Sequence, residues 1–149
     1  MNNQGEVKLS SNWTGIGLYI SAFFILIMSP IVIFSNLDQD FHMGMLLSAA
    51  VFLASVSFLI YLFAYSCDAR IVGDKIVLKK QFRPAKSYTF DQIGYPTSFQ
   101  LKKTKYITVE MKDNQAMEKY IIINSRSLFS SSKDAEQTLI NLRNLARRQ

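Results

Sequence analysis

Charge is scarce where this sequence begins, and metal-binding and redox residues are scarce throughout. The 149 residues include one cysteine and one histidine. One cysteine excludes an internal disulfide framework, and the pair together excludes a Cys/His metal centre. No glycine-rich phosphate loop occurs. The serines Ser125, Ser127 and Ser130 to Ser132 lack a G-x-S-x-G context and have no histidine after His42. They read as loop and helix cap. No catalytic, cofactor-binding or metal-binding residues are expected, and the chain is not expected to be an enzyme.

Charged residues make up only 19% of the chain, against about 25% in a soluble domain. Of the 28 Lys, Arg, Asp and Glu residues, 24 follow Cys67. Ahead of it stand only Glu6, Lys8, Asp38 and Asp40. Two uncharged apolar runs fill the space, Trp13 to Ser35 and Met43 to Cys67. Crossing a hydrocarbon core takes about 20 helical residues, and both runs have that length. They predict a transmembrane helical hairpin over residues 13–66, with helices at about 14–35 and 43–66, after a leader of residues 1–12. The leader has no basic start and the first run is too long for a signal peptide. It is expected to be retained.

Basic residues set the orientation. The loop Asn36 to His42 has none, and the segment after Cys67 has 16 of the 17. A multi-pass protein of the cell membrane with both termini cytoplasmic is expected. Trp13, Tyr19, Tyr61 and Tyr65 sit near the run ends, where aromatic rings favour the interface. Pro30 is expected to kink the first helix, its freed carbonyl met by Ser29 or by the other helix. Gly17-x-x-x-Ser21 and the small residues Gly44, Ser48, Ala50, Ala54 and Ser55 permit close helix approach, within the hairpin or in self-association. Neither run contains an ionisable residue other than the tyrosines and Cys67, which argues against a proton or ion path. Asp38, Asp40 and His42 make too sparse a set for a cation site, and Cys67 reads as an inert thiol at the membrane edge.

After Tyr65 the pattern changes to short alternating runs. Ala69 to Val72 and Lys75 to Phe82 flank Gly73-Asp74, a hairpin signal. Ser87 to Phe90 alternates, Thr97 to Leu101 is a weaker strand, and Lys105 to Met111 alternates cleanly. Met117 to Ile123 carries Ile121-Ile122-Ile123, which suggests burial on both faces. About six short strands predict a small antiparallel sheet or barrel over residues 67–149. A closing helix follows, with Ser131 and Asp134 at capping-box spacing. Its stripe is Ala135, Leu139, Leu142 and Ala146, widened by Leu145. A lid on the strands is favoured over a helix lying on the membrane surface. The fold class is thus α+β: a two-helix hairpin, then a β-domain capped by a C-terminal helix.

Three segments carry a resemblance: Ile71-Val72-Gly73-Asp74-Lys75-Ile76, Tyr88-Thr89-Phe90-Asp91-Gln92-Ile93 and Ile107-Thr108-Val109. Preceded by a membrane hairpin and followed by a helix, they resemble the bacterial pleckstrin-homology-like domain of small membrane proteins. That family fold has seven strands, so a further strand is expected between Gly94 and Lys103. The resemblance implies a scaffold that binds lipids, peptides or proteins and not a catalyst. The alternatives are an immunity protein against a membrane-active peptide and an accessory subunit of a transporter or envelope complex.

The candidate surface for anionic lipid or a protein partner is basic: Lys79, Lys80, Arg83 and Lys86, with Lys102, Lys103 and Lys105 on a later turn. Anionic inner-leaflet lipid attracts each nearby basic side chain by about 1 kcal/mol. A solvated face that only carries the orientation signal is the simpler reading. Nucleic acid is disfavoured, because no aromatic platform or recognised motif accompanies the charges.

Overall fold

A computed structural model describes residues 6–11, 14–37, 42–113, 116–125 and 134–148. Trp13, Asp38, Asp40, Asn114, Gln115, Ser127 and Ser130 to Ser132 lie outside the described residues. The chain divides into two compact units. One is Gly15–Ala64. The other joins everything from Tyr65 onward to the residues ahead of the first helix.

The first unit holds two helices, α1 (Thr14–Leu37) and α2 (Met43–Tyr65, running one residue into the second unit). Each contains a 23-residue stretch, of mean hydropathy 2.4 and 2.3, long and apolar enough to cross a membrane. At 1.5 Å per residue that is about 35 Å, against a hydrocarbon core of about 30 Å. Only 6% of the most apolar window of each is buried within the protein. Leu26 and Leu47 are 69% and 67% exposed. Apolar surface all round a helix needs an apolar surrounding. Polar atoms are turned inward: Ser21 donates to Gly17 O at 2.9 Å, Ser29 to Ile25 O at 2.7 Å and Ser55 to Val51 O at 2.8 Å. Ser29 therefore serves Ile25 and not Leu26, the carbonyl that Pro30 frees, and α1 continues through Pro30. Tyr19 meets Phe63 edge-on at 5.6 Å, joining the start of α1 to the end of α2.

The two glycines, Gly17 and Gly44, mark no close approach of the helices. A Cβ on Gly17 would meet nothing within 4 Å, and one on Gly44 would meet only the His42 ring at 3.5 Å. Ser21, Gly44, Ser48 and Ser55 instead help line an apolar groove of about 860 Å3. His42 is a helix cap: its Nδ1 accepts from the Met45 N–H at 3.0 Å.

The second unit is a seven-stranded sheet with a helix packed on it. Its strands are β1 (Val7–Lys8), β2 (Ser66–Val72), β3 (Lys75–Lys80), β4 (Lys86–Thr89), β5 (Thr97–Leu101), β6 (Thr104–Asp113) and β7 (Ala116–Ser125). The order is β4-β3-β2-β7-β6-β5, with β1 on β2. Gly73, at φ 61°, closes the β2–β3 hairpin in the left-handed region a glycine enters freely. Helix α2 ends at Tyr65 and β2 starts at Ser66, so no linker intervenes.

Two expectations are corrected. The sheet is mixed, because β2 pairs with β7 in parallel through Ser66–Ile121 and Cys67–Ile122. No hairpin joins these distant strands, so no turn imposes the antiparallel sense. The seventh strand is β1, from the leader, and not a segment between Gly94 and Lys103. Beyond Cys67 and Ile122 the leader takes over the pairing. Val7 and Lys8 pair with Ile71 and Arg70, Leu9 donates to Ala69 O at 2.9 Å, and Ser11 donates to Ile123 O at 3.0 Å. The leader thus bridges β2 and β7.

The core follows the period-2 rows: Ile76 and Leu78, then Ile107, Val109 and Met111, then Tyr120 and Ile122, all at most 1% exposed. Leu9, Ala135 and Leu139 complete it. Helix α3 (Ala135–Ala146) is therefore a lid packed into the core, as its apolar stripe predicts. Leu145 does not widen the stripe, being 61% exposed. The cap is Asp134, whose side chain accepts from the Glu136 N–H; Ser131, the other residue of the expected capping box, lies outside the described residues. An aspartate is itself a strong cap.

Candidate site at the Glu118 end of the sheet

The seven predicted basic residues do not form one surface. Lys102 and Lys103 lie in the β5–β6 turn, where β6 begins, and both are exposed. Lys80 and Lys86 lie by Glu118, which pairs in register with Met111 near the far end of β6. Seven residues of strand separate Thr104 from Met111, about 23 Å at strand rise. Lys105 is engaged by α3, with its Nζ 3.1 Å from Asp134 and also bonded to Glu136. Those bonds hold the lid down and leave Lys105 little charge for a ligand.

At the other end, Lys80 is not on the surface. Strand alternation puts Ile76, Leu78 and Lys80 on one face, and Lys80 is 6% exposed at the end of the core row. Glu118 is in the facing row of β7 with Tyr120 and Ile122. Strand β2 reaches β7 only at Ile121, so Glu118 lies beyond that pairing, open to side chains from β3 and β4. Lys80 Nζ stands 2.9 Å from Glu118 Oε1 and Lys86 Nζ 2.7 Å from Oε2. The Tyr88 hydroxyl donates to the same carboxylate at 3.2 Å, and the Tyr120 hydroxyl is 2.8 Å from that of Tyr88. With one proton per hydroxyl, the chain runs Tyr120 to Tyr88 to Glu118. Lys80 also lies 4.4 Å from the Tyr120 ring centre and 5.6 Å from that of Tyr65.

The electrostatics fix charge in place. The hydrogen bond from Lys86, joined by that from Lys80, outweighs desolvation and holds the Glu118 carboxyl at about 2. Its bond to Glu118 raises Lys86, and burial raises both tyrosines. Burial likewise pushes the Cys67 thiol up, away from the thiolate a nucleophile needs. At Asp68 burial acts upward, but hydrogen bonds from Ser10 and Arg70 outweigh it and lower the carboxyl. Glu118 thus stays ionised and Tyr120 protonated near neutrality, unlike the near-neutral groups that proton transfer favours. Among the described residues, no three of His, Cys, Asp and Glu are grouped to hold a metal ion.

The turn that carries Arg83 is strained. Phe82, with φ 58°, is in the left-handed region and 82% exposed, a conformation that costs a bulky residue about 1–2 kcal/mol. Arg83 is loosely held, 3.9 Å from Glu118 with a side chain 68% exposed. Arg83, Pro84 and Lys86 edge a hollow of about 50 Å3 over Lys80, Glu118 and Tyr120. That is too small for a headgroup. Arg83 and Lys86, which the sequence groups with Lys79 and Lys80, both lie at this end; sequence reasoning does not single out Glu118, Tyr88, Tyr120 or Phe82. The inward phase of Lys80 was the available signal, since an interior lysine needs a carboxylate partner.

Comparison of the chain with protein-family models, curated proteins and solved structures gives no match.

Proposed function

We propose that the protein is a two-pass membrane protein whose β-domain is a non-enzymatic interaction module on the cytoplasmic face. The observation that carries this reading is the pairing of the leader with β2 and β7. Chain ahead of α1 and chain after α2 belong to one sheet, which supports a hairpin whose two ends emerge on one side of the bilayer. The same pairing favours an even number of crossings. The basic residues after Cys67 favour the cytoplasm for that side. The pleckstrin-homology-like assignment is supported by the strand content and the C-terminal helix packed into the core, although the parallel pair is no part of the resemblance. Ion-paired Glu118 and buried Cys67 favour binding over catalysis.

The interaction is with a protein partner or with anionic lipid. Exposed Phe99, stacked on Tyr106 at 4.8 Å along the edge strand β5, offers a face for a protein. The groove lined by Ser21, Gly44, Ser48 and Ser55 favours association of the helices with another membrane helix, the accessory-subunit reading. Photocrosslinking in intact cells tests the module: a crosslinker at Phe99 is expected to give a discrete adduct of higher mass. Only uncrosslinked chain, at Phe99 and at exposed positions along β5 alike, contradicts a protein-binding module.

A further inference from the structure

The β3–β4 turn combines an exposed aromatic tip with basic flanks, at the end of the sheet where the chain arrives from α2. Register shows the placement. Lys80 pairs with Cys67, so residues 81 to 85 extend past Ser66, level with Tyr65. The turn is fastened there, because the Arg83 N–H donates to Lys80 O at 3.4 Å and Lys80 stands over the Tyr65 ring at 5.6 Å. Phe82 is directed outward at 82% exposure despite its unfavourable backbone, and it packs in no core. Held strain at an exposed side chain points to function. Lys80 and Lys86 are committed to Glu118, so the charge available to a ligand comes from Arg83 and exposed Lys79. We propose that this turn docks on the anionic bilayer surface, with Phe82 entering the interface and Arg83 and Lys79 meeting lipid phosphates.

The proposal rests on the membrane reading above and goes beyond it by naming the element and the ligand. The occupant follows from charge and from position. Cations flank an apolar tip within a few residues of Tyr65, an aromatic at a span end. The hollow beside the turn is too small for a headgroup, so contact is with the lipid surface and not with one enclosed lipid. Arginine and lysine at such a surface act over about a Debye length.

The test uses the full chain with Cys67→Ala, reconstituted in nanodiscs of phosphatidylglycerol or of phosphatidylcholine. An environment-sensitive fluorophore is attached at Phe82→Cys, at Phe24→Cys on α1, or at Val72→Cys at the far end of the β2–β3 hairpin. Quenching by lipids spin-labelled near the headgroup is expected at 82 in phosphatidylglycerol and not at 72, and quenching by lipids spin-labelled at the acyl-chain end is expected at 24, which lies midway along α1. Lys79→Gln with Arg83→Gln should cut quenching at 82 several-fold and leave 24 unchanged. Position 82 as unquenched as 72, with 24 quenched, overturns the docking turn alone. Quenching at 82 that is equal in both lipids and indifferent to the two substitutions overturns the anionic assignment. Loss of quenching at 24 overturns the membrane reading itself.

Discussion

Leu9 donates its backbone N–H to Ala69 O at 2.9 Å and buries its side chain in the core of the domain that follows α2. The leader is part of that domain. Around it, Glu6 pairs with Arg70 at 2.9 Å, and Lys8 and Ser10 both reach Asp68. Replacing Leu9 with Ala removes a side chain that is 2% exposed, at a cost of about 2–5 kcal/mol. In the full chain, the temperature at which residues after Tyr65 become protease-sensitive should fall markedly. An unchanged temperature contradicts a structural role for the leader.

Glu118 makes the domain acid-labile. Its carboxyl is lowered from 4.5 to about 2 in the folded protein, so its stabilisation is present above the unfolded value and is lost as pH falls towards 2. Glu118→Gln strands the buried Lys80 ammonium and should destabilise the domain at pH 7 by about 3–5 kcal/mol. The gap between parent and variant should narrow between about pH 4.5 and 2. Unfolding midpoints against pH measure this, and a gap constant with pH contradicts the pairing.

Gly94 is required by close approach. Its N–H donates to Glu110 O at 2.8 Å, and a Cβ there would come within 2.4 Å of that oxygen. Gly94→Ala should separate the connection before β5 from β6 and cost about 1–3 kcal/mol. Denaturant unfolding reads the loss, and a neutral substitution contradicts the contact.

Phe82 should behave in the opposite sense. Glycine tolerates φ 58° without the steric penalty, so Phe82→Gly should stabilise the domain by up to about 1 kcal/mol. A destabilised variant would show that Phe82 packs within the protein and has no outward role.

The sequence made the local parts of this fold legible and left the non-local ones obscure. Two uncharged runs of full span length, the Gly73-Asp74 turn and the alternation of Ile107, Val109 and Met111 each mark an element within a few residues. Strand β1 is two residues long and has no period to detect. The β2–β7 pair joins distant segments without a turn, so neither its existence nor its parallel sense leaves a local mark. The basic site was half legible. Counting charges groups Lys79, Lys80, Arg83 and Lys86, but only strand phase separates inward Lys80 from outward Lys79. Its partner Glu118 stands on a strand that no local pattern places beside it.

Labelling with a membrane-impermeant maleimide, in intact cells, tests the central arrangement most directly. Single cysteines at Lys8, His42 and Lys102, in a Cys67→Ala chain, report the leader, the interhelical connection and the domain. Position 42 should be labelled from outside, while 8 and 102 should react only after the membrane is permeabilised. Labelling of 8 and 102 on opposite sides, or of 102 from outside, would contradict that arrangement.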